Sequence, residues 1–155
     1  MSASITFDDS HWPLLVTRFQ GAATDAQYEE YLARGTAYLQ RGEPYVSIID
    51  MGQLAMPTNA QRQRQTEWLK AHQVLLRERL LGCALIDTSP LIRLVLSAIF
   101  HVIPLPTSYV AIRDMAEGVK WATARLAEAG LGDAAERIRR DFSAQARRRS
   151  GPSRT

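Results

Sequence analysis

Apolar residues recur along this chain with two different periods. The runs YVSIID at 45–50 and GCALID at 82–87 are short, apolar and bounded by turn-forming residues, as buried strands are. Residues 4–8 and 14–19 also read as strands. They lie close enough to pair as an antiparallel hairpin or meander, with Asp8-Asp9-Ser10 as a turn cluster and Gly21 closing the second strand. Elsewhere the apolar spacing is three and four residues, the mark of a helix with one buried face. Thr24, with Gln27 in the capping-box position, opens a first helix whose inner face carries Tyr28, Tyr31, Leu32, Gly35, Tyr38 and Leu39. Gly42 and Pro44 end it. Thr58 and Gln61 open a long second helix with Trp68, Leu69, His72, Leu75 and Leu76 on its inner stripe. Ser89-Pro90 starts a third, running from Leu91 to about Val102 and stopped by Pro104 and Pro106. Residues 108–113 form the last strand, and Asp114 with Glu117 caps a fourth helix over 115–129.

The resulting order is β-β-α-β-α-β-α-β-α. It predicts an α/β domain over residues 1–130 with a mostly parallel sheet after an antiparallel N-terminal pair of strands. Residues 131–146 form a candidate extra helix, with Ile138 and Phe142 as its large apolar residues. Residues 147–155, basic and without apolar periodicity, are expected to be a disordered tail. A chain of 155 residues suits one core rather than two.

The net charge of +3 belongs to the C-terminal end. From Asp133 onward seven arginines face three acids, so the rest of the chain is close to neutral. A nucleic-acid-binding domain carries its basic excess on the fold itself, so no nucleic-acid partner is expected. The single cysteine, Cys83, sits within an apolar run and makes neither an internal disulfide nor a thiolate metal site. No secretory signal or membrane-spanning run is visible, and a cytoplasmic protein is the expectation.

YVSIIDMGQL, the loop leading from it into a helix, and then GCALID and SP resemble the STAS fold, and within it the SpoIIAA-like group. That group is similar to the bacterial anti-sigma-factor antagonists and is also grouped with the SEC14-type lipid-binding fold. The resemblance spans roughly residues 5–129. It implies a non-enzymatic regulatory or protein-interaction module without a cofactor. Antagonist members carry a strand-ending Asp and then an Asp-Ser-Ser-Gly run whose serine is phosphorylated. Asp50 matches the strand-ending Asp, but Thr58 and Asn59 stand at the Asp-Ser positions. The acceptor serine is absent, and Thr58 is the hydroxyl that could stand in for it.

Asp50, Asp87 and Asp114 each follow the apolar part of a strand, and parallel strand ends gather at one rim where ligands bind. The simpler explanation of each is a turn former or N-cap, and Asp114 already has a capping role. A phosphoacceptor receiver domain is excluded, because Arg113 replaces the required Lys and a strand follows Asp8-Asp9 where a helix is needed. Thr58 and Ser89 cap helices whose N-termini should face that rim, with Arg62 and Arg93 one turn inside. These four, with Asp50 and Asp87, are the candidate site for a partner or a small anion. The alternative is that each arginine pairs with Asp50 or Asp87 and orders the loops. His11, His72 and His101 have no metal-ligand spacing, and His72 and His101 read as packing residues. No nucleophile-elbow, Walker or dinucleotide motif occurs.

The third helix is apolar almost all round, so its outer face needs a cover. A second subunit, a hydrophobic ligand or the C-terminal helix could supply it. The expectation is a homodimer with Leu94, Phe100 and Ile103 at the contact. The rival is a carrier of a small lipid-like ligand, as the SEC14 relation implies.

Overall fold

The structure is a computed structural model, and it describes residues 4–86, 89–102 and 108–149. Strands β1 (Ser4–His11) and β2 (Leu14–Gly21) are followed by helix α1 (Asp25–Gln40), β3 (Tyr45–Leu54), α2 (Asn59–Ala71) and α3 (Gln73–Arg79). Then come β4 (Leu80–Ile86), α4 (Pro90–Val102), β5 (Tyr109–Ile112), α5 (Met115–Glu128) and α6 (Gly132–Arg149). The five strands form one sheet in the order β1-β2-β3-β4-β5. The β1–β2 pair is antiparallel and all other pairs are parallel. This is the expected α/β architecture.

Adjacent parallel strands joined by crossovers of one hand place all their connecting helices on one face of the sheet. Accordingly Leu39 of α1, Leu69 of α2, Leu76 of α3 and Ile99 of α4 pack with Leu15, Phe19, Cys83 and Leu85. The opposite face buries Val16, Val46, Ile48 and Ala84 beneath Val119, Ala122 and Leu126 of α5 and Ile138 of α6. The C-terminal helix therefore lies beside α5 and is not the cover for α4. Leu91 and Leu94 on α4 remain 59% and 66% exposed.

Local signals hold where the interactions are local. Thr24 and Thr58 both form complete capping boxes with Gln27 and Gln61. Asp114 Oδ1 accepts from the Glu117 amide at 2.9 Å. Gly130 follows α5 with φ +84°, a left-handed conformation that glycine adopts without a Cβ penalty.

Four expectations need correction. The second helix is two helices, because His72 adopts φ −113° and ψ 17° between α2 and α3. β3 does not end at Asp50; after an irregularity in the register it goes on to pair Gln53 with Gln20 and Leu54 with Gly21. Asp8-Asp9-Ser10 is not the hairpin turn but an irregular stretch within β1. The Asp8 carboxylate holds it by accepting from the Ser10 amide and hydroxyl at 2.9 and 2.6 Å, and the turn falls at Trp12-Pro13. These bonds, the hydroxyl's foremost, keep Asp8 below the ordinary carboxylate pKa. Finally, α6 runs to Arg149, so 147–149 are helical rather than tail. Alanine and arginine are strong helix formers, and they extend a helix already anchored by Ile138.

Candidate functional site

Side chains alternate across a strand, so the pleat assigns each residue a face. Leu15, Thr17 and Phe19 of β2, and Ser47, Ile49 and Met51 of β3, face α1 and α2. On β4 the alternation is reset near its start. Tyr45 pairs with Leu80 but Val46 pairs with Gly82, leaving Leu81 as an extra residue. Leu80, Cys83 and Leu85 then share the α1–α2 face. Leu81 packs on the α5 side, and so does Gly82, where a Cβ would come within 2.5 Å of the Trp121 ring.

Three of the inward positions on these central strands are small: Thr17, Ser47 and Cys83. Ser47 and Cys83 are direct register partners, and Thr17 pairs with Ile49 on the same side. The helices do not collapse into the space, because polar contacts hold them above it. The Trp68 indole donates to Thr36 Oγ1 at 2.9 Å and stacks on His72 at 4.6 Å. Tyr28 donates to Gln65 Oε1 at 3.0 Å. Gly35 lets the Trp68 ring approach to 3.1 Å from where a Cβ would stand. What remains is a partly open cavity of about 160 Å³ between the sheet and α1, α2, α3 and α4, with Ile99 as the α4 contribution. Interiors are normally close-packed, so a space of this size is a feature of the site.

The lining is almost wholly apolar or aromatic. Burial raises the pKa of Tyr28, Tyr31 and Tyr45, which stay neutral. Burial likewise pushes the Cys83 thiol up to about 12 against the opposing hydrogen bond with Ser47, so no thiolate nucleophile forms. Among the described residues Arg62 is the one charged residue on the wall. Its Nη2 donates to Asn59 Oδ1, and no carboxylate among the described residues pairs with it.

The structure sets Asp50 apart from Thr58 and Arg62. Asp50 has the parity of Val46 and Ile48, which pack under α5, and so lies on the sheet face opposite the cavity. Its Oδ1 accepts from the Gly52 amide at 3.0 Å, and its Oδ2 lies 4.0 Å from Arg18 Nε. Arg62 and Asp50 are thus separated by the sheet, and their pairing does not occur. Thr58 Oγ1 accepts from the Gln61 amide at 3.1 Å. The side-chain Nε2 of Gln61 donates to Ala23 O at 2.9 Å and Asp25 Oδ1 at 3.1 Å, tying the start of α2 to that of α1. Ser89 immediately precedes α4, its carbonyl accepts from the Arg93 amide at 3.2 Å, and the Arg93 side chain is exposed. Asp87 and Ile103 lie outside the described residues, as does the side chain of Phe100. His72 is the hinge between two helices, its Nδ1 2.8 Å from Trp68 O. His101, expected to pack, is exposed in the last turn of α4. Among the described residues no group of His, Cys, Asp or Glu could hold a metal ion, and no helix is long and apolar enough to cross a membrane.

Sequence reading missed the cavity. The available signal was a small residue at the centre of each of three buried strands, facing a glycine on α1.

No family model and no curated protein matches this chain. A solved structure does: an uncharacterised protein of the DUF3478 family with a SpoIIAA-like fold, from Shewanella loihica PV-4. The superposition has a TM-score of 0.59 at 16% sequence identity, and covers 78% of this chain and 94% of that one. The fold is therefore SpoIIAA-like, as the resemblance in the sequence implied.

Proposed function

We propose that this protein is a non-enzymatic binding module that takes up a small apolar molecule between its sheet and the α1–α4 layer. The observation that carries this reading is the cavity of about 160 Å³ walled by aromatic and aliphatic side chains. An engineered apolar cavity of roughly 150 Å³ stays dry and takes up benzene. Water gains too few hydrogen bonds from such walls, whereas a ring or short chain gains the full contact. The tyrosines and Cys83 are held neutral, so none of these four offers an anionic nucleophile or a general base.

Native mass spectrometry of protein prepared without detergent tests this. The expected spectrum shows a species heavier than the 17.4 kDa chain by a small organic mass, released on denaturation. Protein that carries nothing and takes up neither octanol nor hydrocinnamyl alcohol in calorimetry would refute the reading.

A second reading rests on a different observation. Leu91 and Leu94 are exposed side by side on α4, on an apolar helix that also reaches the cavity through Ile99. This supports a regulatory module whose α4 meets a protein partner or a second copy of the chain. Leu94→Glu is then expected to turn a sedimenting dimer into a monomer; a wild-type monomer at micromolar concentration rules out the homodimer.

A further inference from the structure

The cavity has a direction. Tyr45 and Leu80, the first residues of β3 and β4, are register partners at one end, and Leu76 from the last turn of the helix before β4 lies with them. Met51, late in β3, and Pro57 and Arg62, at the start of α2, lie at the other. From Leu80 to Leu85, four register steps once the extra residue Leu81 is set aside, the lining extends about 13 Å at the strand rise of roughly 3.3 Å per residue. One end is aromatic and aliphatic. The other holds a guanidinium whose acceptor is the neutral amide of Asn59. Arg62 is only partly exposed, so its charge is partly desolvated without a counter-ion among the described residues. Partial burial of an unpaired charge is costly, and an anion arriving with the ligand removes that cost. A guanidinium also presents paired N–H donors that match a carboxylate.

We infer that the ligand is a small monocarboxylate amphiphile, with its ring or short chain along the sheet and its carboxylate at Arg62. This rests on the apolar-ligand reading above and narrows it. A single arginine suits a single negative charge, and the volume suits a compact apolar body rather than a two-chain lipid. Among the described residues no acidic side chain lines the cavity to repel the head group. Gln65, whose Oε1 accepts from Tyr28, is neutral and offers a carboxylate no charge-assisted bond of the kind Arg62 makes.

Calorimetry with matched pairs separates the head group from the apolar body: octanoate against octanol, and hydrocinnamate against hydrocinnamyl alcohol, at neutral pH. At least one carboxylate is expected to bind the unmodified protein roughly tenfold or more tighter than its alcohol, the scale of one charge-assisted hydrogen bond. Arg62→Met is expected to abolish that preference, weakening the carboxylate far more than the alcohol, and Arg62→Lys to restore part of it. Equal binding of acid and alcohol by the unmodified protein overturns the inference and leaves the apolar-ligand reading standing. Loss of alcohol binding in both Arg62 variants gives the side chain a structural role and also overturns it. Binding of neither member of either pair overturns both.

Discussion

Cutting the chain after Gly130 is expected to leave a domain that melts far below the full-length protein or does not fold. α5 contacts β3 and β4, which leaves the α5-side face of β2 to be covered by something else. α6 does so: Ile138 and Ala135 are fully buried in the cluster that holds Leu14 and Val16. The helix is pinned at the β1–β2 turn as well. Arg137 Nη2 donates to Trp12 O at 2.7 Å, and the Phe142 ring lies tilted against His11 at 4.6 Å. Without α6, Leu126, now completely inaccessible, loses its cover along with Leu14. The single substitution Ile138→Ala sets a lower bound, since emptying a fully buried isoleucine site costs about 2–5 kcal/mol. For a chain of this size that lowers the melting temperature by about 5–15 °C. Ile138→Asp, which buries a charge with no partner designed for it, should do more. Thermal melts followed by circular dichroism decide the matter. A truncated chain melting within a few degrees of the full-length protein would show that α6 is dispensable.

The second large effect separates binding from folding. Ser47→Leu is expected to weaken uptake of octanol by about tenfold or more while raising the melting temperature by a few degrees, because filling a cavity commonly adds about 0.5–2 kcal/mol. Ser47 is buried at the centre of the sheet and faces the cavity. The extra carbons of leucine enter space that exists, so the strain of overpacking a full core does not arise. The hydroxyl's partner is the Cys83 thiol, a weak hydrogen-bonding group, so little is lost there. Calorimetry and a melt on the same sample test both halves. A variant that is more stable yet binds as well as the parent places the ligand elsewhere.

Much of the fold was legible in the chain itself. The element order follows from the change of apolar period between 2 and about 3.6, which depends only on each segment having one buried side. The capping boxes at Thr24 and Thr58 were readable for the same kind of reason: donor and acceptor lie three residues apart. The shortage of nucleophile, metal and phosphate-binding motifs was legible too, and it directed the functional reading toward binding.

Tertiary structure decided what parity and packing decide. Asp50 and Arg62 look like neighbours along the chain, yet the pleat places the sheet between them, and alternation can be followed only while the register is unbroken. The extra residue at Leu81 reverses the sides of β4, and no local rule announces such a bulge. α6 has too few large apolar residues to be recognised as core, but Ile138 is fully buried because α6 packs beside α5 and joins the cluster over the part of β2 that α5 leaves open. Thr17, Ser47, Cys83 and Gly35 come from four elements and are individually unremarkable. They enclose a cavity because three parallel strands bring their small side chains into register under a helix with no side chain of its own at that point. A void is a property of how neighbours fit together, so it is absent from every segment taken alone and appears only when the strands are paired and the helices laid across them.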